Sequence, residues 1–356
     1  MSKSGMQLKS YFPLMREQRA SDLYISANAR VKIRVDGRIR SVGREVVSAA
    51  DVDAAALDLM NEYQRQKYQD EQQVEFAIDE AQNGRFRFSV FRQRGMTAVT
   101  IRYIPVEIPA LDTLNMPKII STLARLRRGL VLVVGATGAG KSTTLAAMLE
   151  LRNRQNAEHI ITIEDPIEYV HANHQCIVNQ RELVTDTPSW ALALRGALRA
   201  APDVVMIGEI RDREAMSAVM EIADSGHLAF STLHTVNASQ TLERIVNMFP
   251  ELMHREVLMD LAANLRAVVS QRLVRGTDEK LLPAVEVMIN TPFIADLIQQ
   301  GRISEIKAAM EDSREPGMQS FETALATLYR RHRISMDEAL AHADSRANLK
   351  TRLHFS

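Results

Sequence analysis

Residues 135–143 read Gly-Ala-Thr-Gly-Ala-Gly-Lys-Ser-Thr and follow the apolar run Leu-Val-Leu-Val-Val at 130–134. Gly135, Gly138 and Gly140 let a backbone wrap closely around a polyphosphate without Cβ contacts. The N–H groups of this loop, including those of Ala136, Thr137 and Ala139, form with the start of the next helix a positive cradle for the β-phosphate. Lys141 is expected to reach the β- and γ-phosphates and Ser142 to ligate Mg²⁺, with Thr143 opening the helix. Strand, loop and helix in that order imply a bound nucleoside triphosphate.

Three later stretches address hydrolysis. The first, 161–169, ends an apolar run in Glu164, Asp165 and Glu168. Acids at the carboxyl edge of a sheet can position and polarise an attacking water, which is most of what phosphoryl transfer asks of a protein. The second, 203–212, is an apolar run closed by Gly208 and Glu209, the form of the strand whose acid supports Mg²⁺ in such enzymes. The third brackets a strand between His227 and His234, where an imidazole can couple the γ-phosphate to motion; no further ligands stand at a spacing that would make the pair a zinc site. Arg195 and Arg199, four apart, share one helical face, and Arg244 lies within the stretch 241–249. An arginine from a neighbouring subunit can stabilise charge on a transferring phosphoryl group.

These groups need a scaffold. With 356 residues the chain has room for two domains. Lysine plus arginine number 44 and aspartate plus glutamate 44, so no global field calls for nucleic acid or anionic lipid. A single cysteine, Cys176, excludes a disulfide framework and a Cys-rich zinc site. No stretch nears the length of a membrane span, and the first residues lack a signal-peptide core, so a cytoplasmic chain is expected. From about 10 to 105 the pattern is α+β. Strands are expected at 20–26, 30–35 and 38–40, with an Asp36-Gly37 turn, and a helix at 48–68 capped by Ser48. A strand pair at 84–91 and 97–104 should turn at 93–95. Pro105, Pro109 and Pro117 mark a linker. Beyond it, strand-like runs at 130–134, 159–163, 204–207, 228–233 and 284–289 alternate with helices, implying a mostly parallel sheet. From Thr291 the tail reads as helical, broken at Pro316-Gly317 before 321–330, with the basic run 330–333 as a charged helix end. The domains are therefore 1–107, a linker at 108–117, and 118–356.

In combination these motifs resemble the secretion-type hexameric ATPases, and within them the PilT/PilU family of type IV pilus retraction ATPases. The resemblance runs from Ala20 to about residue 345 and rests on the phosphate loop, the segment 163–168, Gly208-Glu209 and the His227…His234 box in order. It implies an α/β fold, with a RecA-like P-loop ATPase domain preceded by a smaller PAS-like α+β domain, assembled as a homohexamer. It implies ATP and Mg²⁺ as ligands, with Glu168 as the catalytic glutamate and Glu209 as the magnesium-associated acid. Glu164, His227 and Arg244 would be nucleotide-binding, and His234, Arg195 and Arg199 catalytic. The expected role is a cytoplasmic motor at the inner-membrane base of the pilus machine, powering retraction and twitching motility. Its expected partners are a platform protein and a PilT-type ATPase, with neither nucleic acid nor membrane insertion. The missing zinc motif and extra N-terminal domains favour retraction over assembly. Gly135-Ala136, Tyr24, the segment 293–298 (Phe-Ile-Ala-Asp-Leu-Ile) and the tail segments 317–322 and 341–345 resemble the PilU branch. The alternative is a nucleotide-binding accessory ring with dispensable hydrolysis; the RecA-like core also admits a nucleic-acid translocase, but no basic stripe interleaved with aromatics accompanies it.

Overall fold

A computed structural model describes residues 6–35, 37–80, 84–104 and 107–354. The chain divides into two compact units, Met1–Glu107 and Ile108–Ser356.

The first unit carries six strands: β1 (Asp22–Ser26), β2 (Ala29–Val35), β3 (Arg38–Val47), β4 (Gln73–Glu80), β5 (Gly84–Gln93) and β6 (Met96–Ile104). They form one antiparallel sheet in the order β3-β2-β1-β6-β5-β4. Alternation along β5 buries Phe86, Phe88 and Val90 on one face, where Phe12 stacks on Phe86 with ring centroids 3.8 Å apart. The expected turn at 93–95 is present: Gln93 pairs with Met96, and Arg94 and Gly95 both take positive φ, the geometry that suits strand twist. Asp36, half of the other expected turn, lies outside the described residues. Helical spacing at 48–68 becomes two helices, Ala49–Leu59 and Glu62–Glu71. Ser48 caps the first as expected. Asn61 starts the second through a capping box with Gln64, which interrupts a single run.

The second unit is built on β7 (Gly129–Val134), β8 (His159–Glu164), β9 (Ile177–Glu182), β10 (Val204–Ile207), β11 (Leu228–Leu233), β12 (Leu265–Arg275) and β13 (Leu281–Ile289). Their order is β13-β12-β7-β11-β10-β8-β9, and only β13 runs antiparallel to its neighbour. Five of these strands were expected. β9 and β12 were not, since polar residues interrupt their apolar pattern. Helices cover both faces, so β7, β10 and β11 are buried at every position and read as unbroken apolar runs. The period of two assigns Leu130, Leu132 and Val134 to one core, with the helices Trp190–Arg199 and Arg213–Asp224. Val131 and Val133 enter the other, with Leu145, Met148 and Leu149 of the helix Lys141–Gln155. Residues 108–117 include a short 3-10 turn, Leu111–Leu114, whose Leu111 is buried in this second core. The tail is mainly helical, as expected. Between the helices Ile306–Asp312 and Phe321–Arg330 the expected break is a turn at Pro316-Gly317, with Gly317 at φ 91°, after which Gln319 pairs with Val287 of β13.

Six parallel strands end at the same edge. That edge lies beyond Val134, Glu164, Ile207 and Leu233, and it collects the loops that carry chemistry.

Candidate functional site

The loop leaving β7 opens on Gly135 at φ 152° and continues through Gly138 at 81° and Gly140 at 88°. A Cβ on Gly135 would lie 2.6 Å from the backbone oxygen of Gln271 on β12, so glycine is required there by contact as well as conformation. Gly140 caps the helix Lys141–Gln155 in left-handed geometry. The free N–H groups of that helix's first turn face the loop, the arrangement that receives phosphate. Lys141 is 8% exposed, and its ammonium donates to the carbonyls of Gly135 (2.9 Å) and Ala136 (3.1 Å). Burial pulls its pKa down, and the negative charge of Glu168 opposes that shift. Glu168 therefore stands within electrostatic reach of Lys141 although the two come from different loops.

At the end of β8, Glu164 is buried and accepts from the Thr162 hydroxyl (2.6 Å) and the Gln180 amide (3.0 Å). Burial raises its pKa, opposed by these two bonds and by a hydrogen bond from the Glu168 backbone, with the Glu168 charge adding to the rise. Glu164 thus anchors the turn from which the exposed Glu168 projects. Beyond β10, Glu209 is half-buried. It accepts from Arg211 Nε and lies 3.1 Å from His234 Nε2, while Arg211 also donates to Asp165 at 3.1 Å. Burial lowers the pKa of His234, and the charges of Lys141 and Arg211 lower it further, so its imidazole is neutral at neutral pH. Ser142, half-buried in the first helical turn, and Glu209 are hard oxygen donors of the kind Mg²⁺ accepts together with water and phosphate. Among the described residues there is no group of three or more His, Cys, Asp or Glu able to cage a metal by itself.

Not every expected residue comes to this edge. β11 separates His227 from His234: Leu228 pairs with Gly129 and Leu233 with Val134, so His227 lies at the amino edge. Six strand residues span about 20 Å. There His227 Nδ1 contacts the Ser225 hydroxyl at 2.8 Å. The expected role of His227 in holding nucleotide at this chain's own loop is therefore corrected by strand length. Arg195 and Arg199 are exposed on the helix Trp190–Arg199. Its last residue precedes Ala200, whose oxygen lies 3.1 Å from Nδ1 of His159 at the start of β8, again the amino edge. Arg244 is exposed in the last turn of the helix Ala238–Val246. Among the described residues, none of these three arginines has a hydrogen bond or ion pair to the chain's own loop.

Several contributors carry no motif. Tyr169 shares a hydrogen bond of 2.9 Å with Thr143. Gln271, 2% exposed, backs the loop, and its buried Oε1 has no hydrogen-bond partner among the described residues. Arg211, two residues past Glu209, was legible only as part of that run.

The profile of the type II/IV secretion system protein family matches residues 8–339. The type IV pilus ATPase PilU of Pseudomonas aeruginosa is 46% identical over 97% of this chain and 91% of its own length. The type IV pilus retraction ATPase PilT of the same organism is 37% identical, covering 94% of this chain and 97% of its own. A crystal structure of the pilus retraction motor PilT with bound ADP superposes with TM-score 0.92 at 36% identity, covering 97% of this chain and 99% of that one. No helix among the described residues is long and apolar enough to cross a membrane.

Proposed function

The chain belongs to the type II/IV secretion system protein family, among its PilT/PilU-type pilus ATPases, and from that premise we propose a Mg²⁺-dependent ATP-hydrolysing motor that powers type IV pilus retraction. In this reading it works as a hexameric ring, in the cytoplasm at the inner-membrane base of the pilus machine, on a platform protein and together with a PilT-type ATPase. The higher identity to PilU than to PilT, 46% against 37%, supports the PilU branch.

The observation that carries the reading is the meeting of Lys141, Glu168, Glu209 and His234 at one sheet edge. Lys141 and the loop N–H groups hold the β- and γ-phosphates of ATP. Glu168 accepts a hydrogen bond from the attacking water and aims it at the γ-phosphorus. Ser142 and Glu209 would hold Mg²⁺, which when bound would supply charge neutralisation to the phosphates. Arg211 and His234 fix the Glu209 carboxylate, and the neutral His234 ring can donate to one partner while accepting from another. Arg195, Arg199 and Arg244, remote from their own loop, serve a neighbouring subunit's nucleotide.

The test is ATP turnover with Mg²⁺ by the purified chain and by Glu168→Gln, with mass from light scattering on the same sample. Turnover should fall by ~10² or more with nucleotide affinity kept, in particles of hexamer mass. Equal loss of binding and turnover would assign Glu168 to binding instead, and slow turnover insensitive to Glu168 would favour the accessory ring.

A further inference from the structure

Past Glu168 the chain stays on the phosphate-loop helix for seven residues. Tyr169 and Thr143 join through their hydroxyls at 2.9 Å. Two turns along, Glu150 Oε2 lies 3.2 Å from His171 Nδ1 and Glu150 Oε1 lies 3.0 Å from His174 Nε2. One turn further, Asn153 is fully buried; it donates to Ala172 O at 2.7 Å and accepts from the His174 N–H at 3.2 Å. Its own carbonyl accepts from the Gln175 N–H at 2.9 Å. From the other side, the Gln180 amide of β9 donates to Tyr169 O (2.8 Å) and accepts from the His171 N–H (2.8 Å). The same amide also donates to Glu164 Oε1.

Thr143 and Glu150 are seven apart and so share one helical face. The contacts from Thr143 to Asn153 cover about 15 Å of helix. A buried carboxylate is costly unless it is well paired. Glu150, 7% exposed, has partners in His171, His174, Asn153 and Arg154. Burial acts to raise its pKa, but the bonds from His171 and Asn153 together with the charges of His171 and Arg154 leave the carboxyl below its usual range. Five of the seven residues after Glu168, namely Tyr169, His171, Ala172, His174 and Gln175, are thus tied to the helix.

We propose that Tyr169 and the Glu150–His171–His174 cluster are positioning residues for hydrolysis, clamping the Glu168 segment to the helix that starts at Lys141. The acid that aims the water and the cation that meets the phosphates are thereby carried on one rigid element. The proposal rests on the reading of Glu168 as the catalytic carboxylate. A displacement of about 1 Å at such a group can cost up to 10²-fold in rate without a matching loss of affinity.

The experiment compares full-length wild type, Tyr169→Phe, His171→Phe, Glu168→Gln and the double variant Tyr169→Phe/Glu168→Gln, each for ATP turnover and for ATP affinity by fluorescence competition. Tyr169→Phe removes one hydroxyl from a partly exposed ring, and His171→Phe keeps the buried ring volume. Each should lower turnover ~10-fold with affinity within about twofold, since orientation and not binding is lost. The double variant should be no slower than Glu168→Gln, because the two changes act on one step. Wild-type turnover in Tyr169→Phe and His171→Phe beside an inactive Glu168→Gln overturns the clamp and leaves the catalytic assignment standing. Parallel loss of affinity and turnover assigns the cluster a purely structural role and also overturns it. Full turnover in Glu168→Gln removes the premise, and the proposal falls with it.

Discussion

In the first unit's sheet, β5 alternates buried and partly exposed positions, whereas in the second unit β7 and β11 are buried at every position. The antiparallel sheet has strand ends of both kinds at each edge. Arg85, Arg87 and Arg92 lie on β5 and Arg102 on β6, with Arg87 directly opposite Arg102. The parallel sheet brings the carboxyl ends of β7, β8, β10 and β11 to one line, and with them Lys141, Glu168, Glu209 and His234. Strand direction, more than composition, decides where this chain concentrates its chemistry.

The widest separation between the two units comes from a reciprocal pair of substitutions. Phe88 is fully buried and stacks on Phe76 at 4.9 Å. Phe88→Ala should cost ~3–5 kcal/mol of first-unit stability, read by urea melts, with ATP affinity within about twofold. Gly135→Val should do the reverse, leaving first-unit melting alone while affinity falls by ~10² or more. Val would drive its side chain against the Gln271 carbonyl at a φ closed to β-branched residues. A shared loss in both variants would mean the units do not act separately.

Within the second unit the comparison narrows to two ends of one strand. His234→Asn should slow turnover ~10-fold, because it loosens Glu209. His227→Asn should leave nucleotide affinity within about twofold, because its ring lies at the amino edge. Equal effects would show that the amino edge also reads nucleotide, from a neighbouring subunit.

The smallest effect concerns β13, the one antiparallel strand of that sheet. It places Glu286 beside Ser270, level with Val134. Burial raises the Glu286 pKa to about 7 against an ordinary 4.5, opposed by hydrogen bonds from the Ala238 N–H and the Ser270 hydroxyl. The folded state therefore holds a proton that the unfolded chain has released between pH 4.5 and about 7. Stability from this group is complete below pH 4.5 and is lost as pH rises through about 7, by at most ~1.4 kcal/mol per pH unit. Glu286→Gln should flatten that slope in melts taken from pH 5 to 8, and raise stability above pH 7 by ~1 kcal/mol or more. An unchanged slope would place the titration elsewhere.

Burial explains what could be read from residues alone. The fully buried strands appear as apolar runs, so β10 and β11 were legible to the residue. β12 was hidden because Arg266, Ser270, Gln271 and Arg272 interrupt its pattern, and β9 because an edge strand tolerates Asn179, Gln180 and Arg181. The loop glycines, Lys141 and the acids are legible because phosphate chemistry restricts both type and spacing. His227 shares a motif with His234 and not its edge, because the intervening strand sends its two flanks to opposite edges. Gln271, Tyr169, Glu150 and His171 carry no local signature, since each finds its partner across the fold.

The placement of β11 between β7 and β10 acts as a spacer. Neighbouring strands stand about 4.8 Å apart, so the loop-bearing strand and the acid-bearing strand are held roughly 10 Å from each other. Lys141 follows the first of these strands and Glu209 the second. His234 sits at the tip of the spacer, touching Glu209 from within the gap. The separation of β7 from β10 is thus set by backbone hydrogen bonds, and side-chain substitutions beyond the strand ends can change what lines the gap without changing its width.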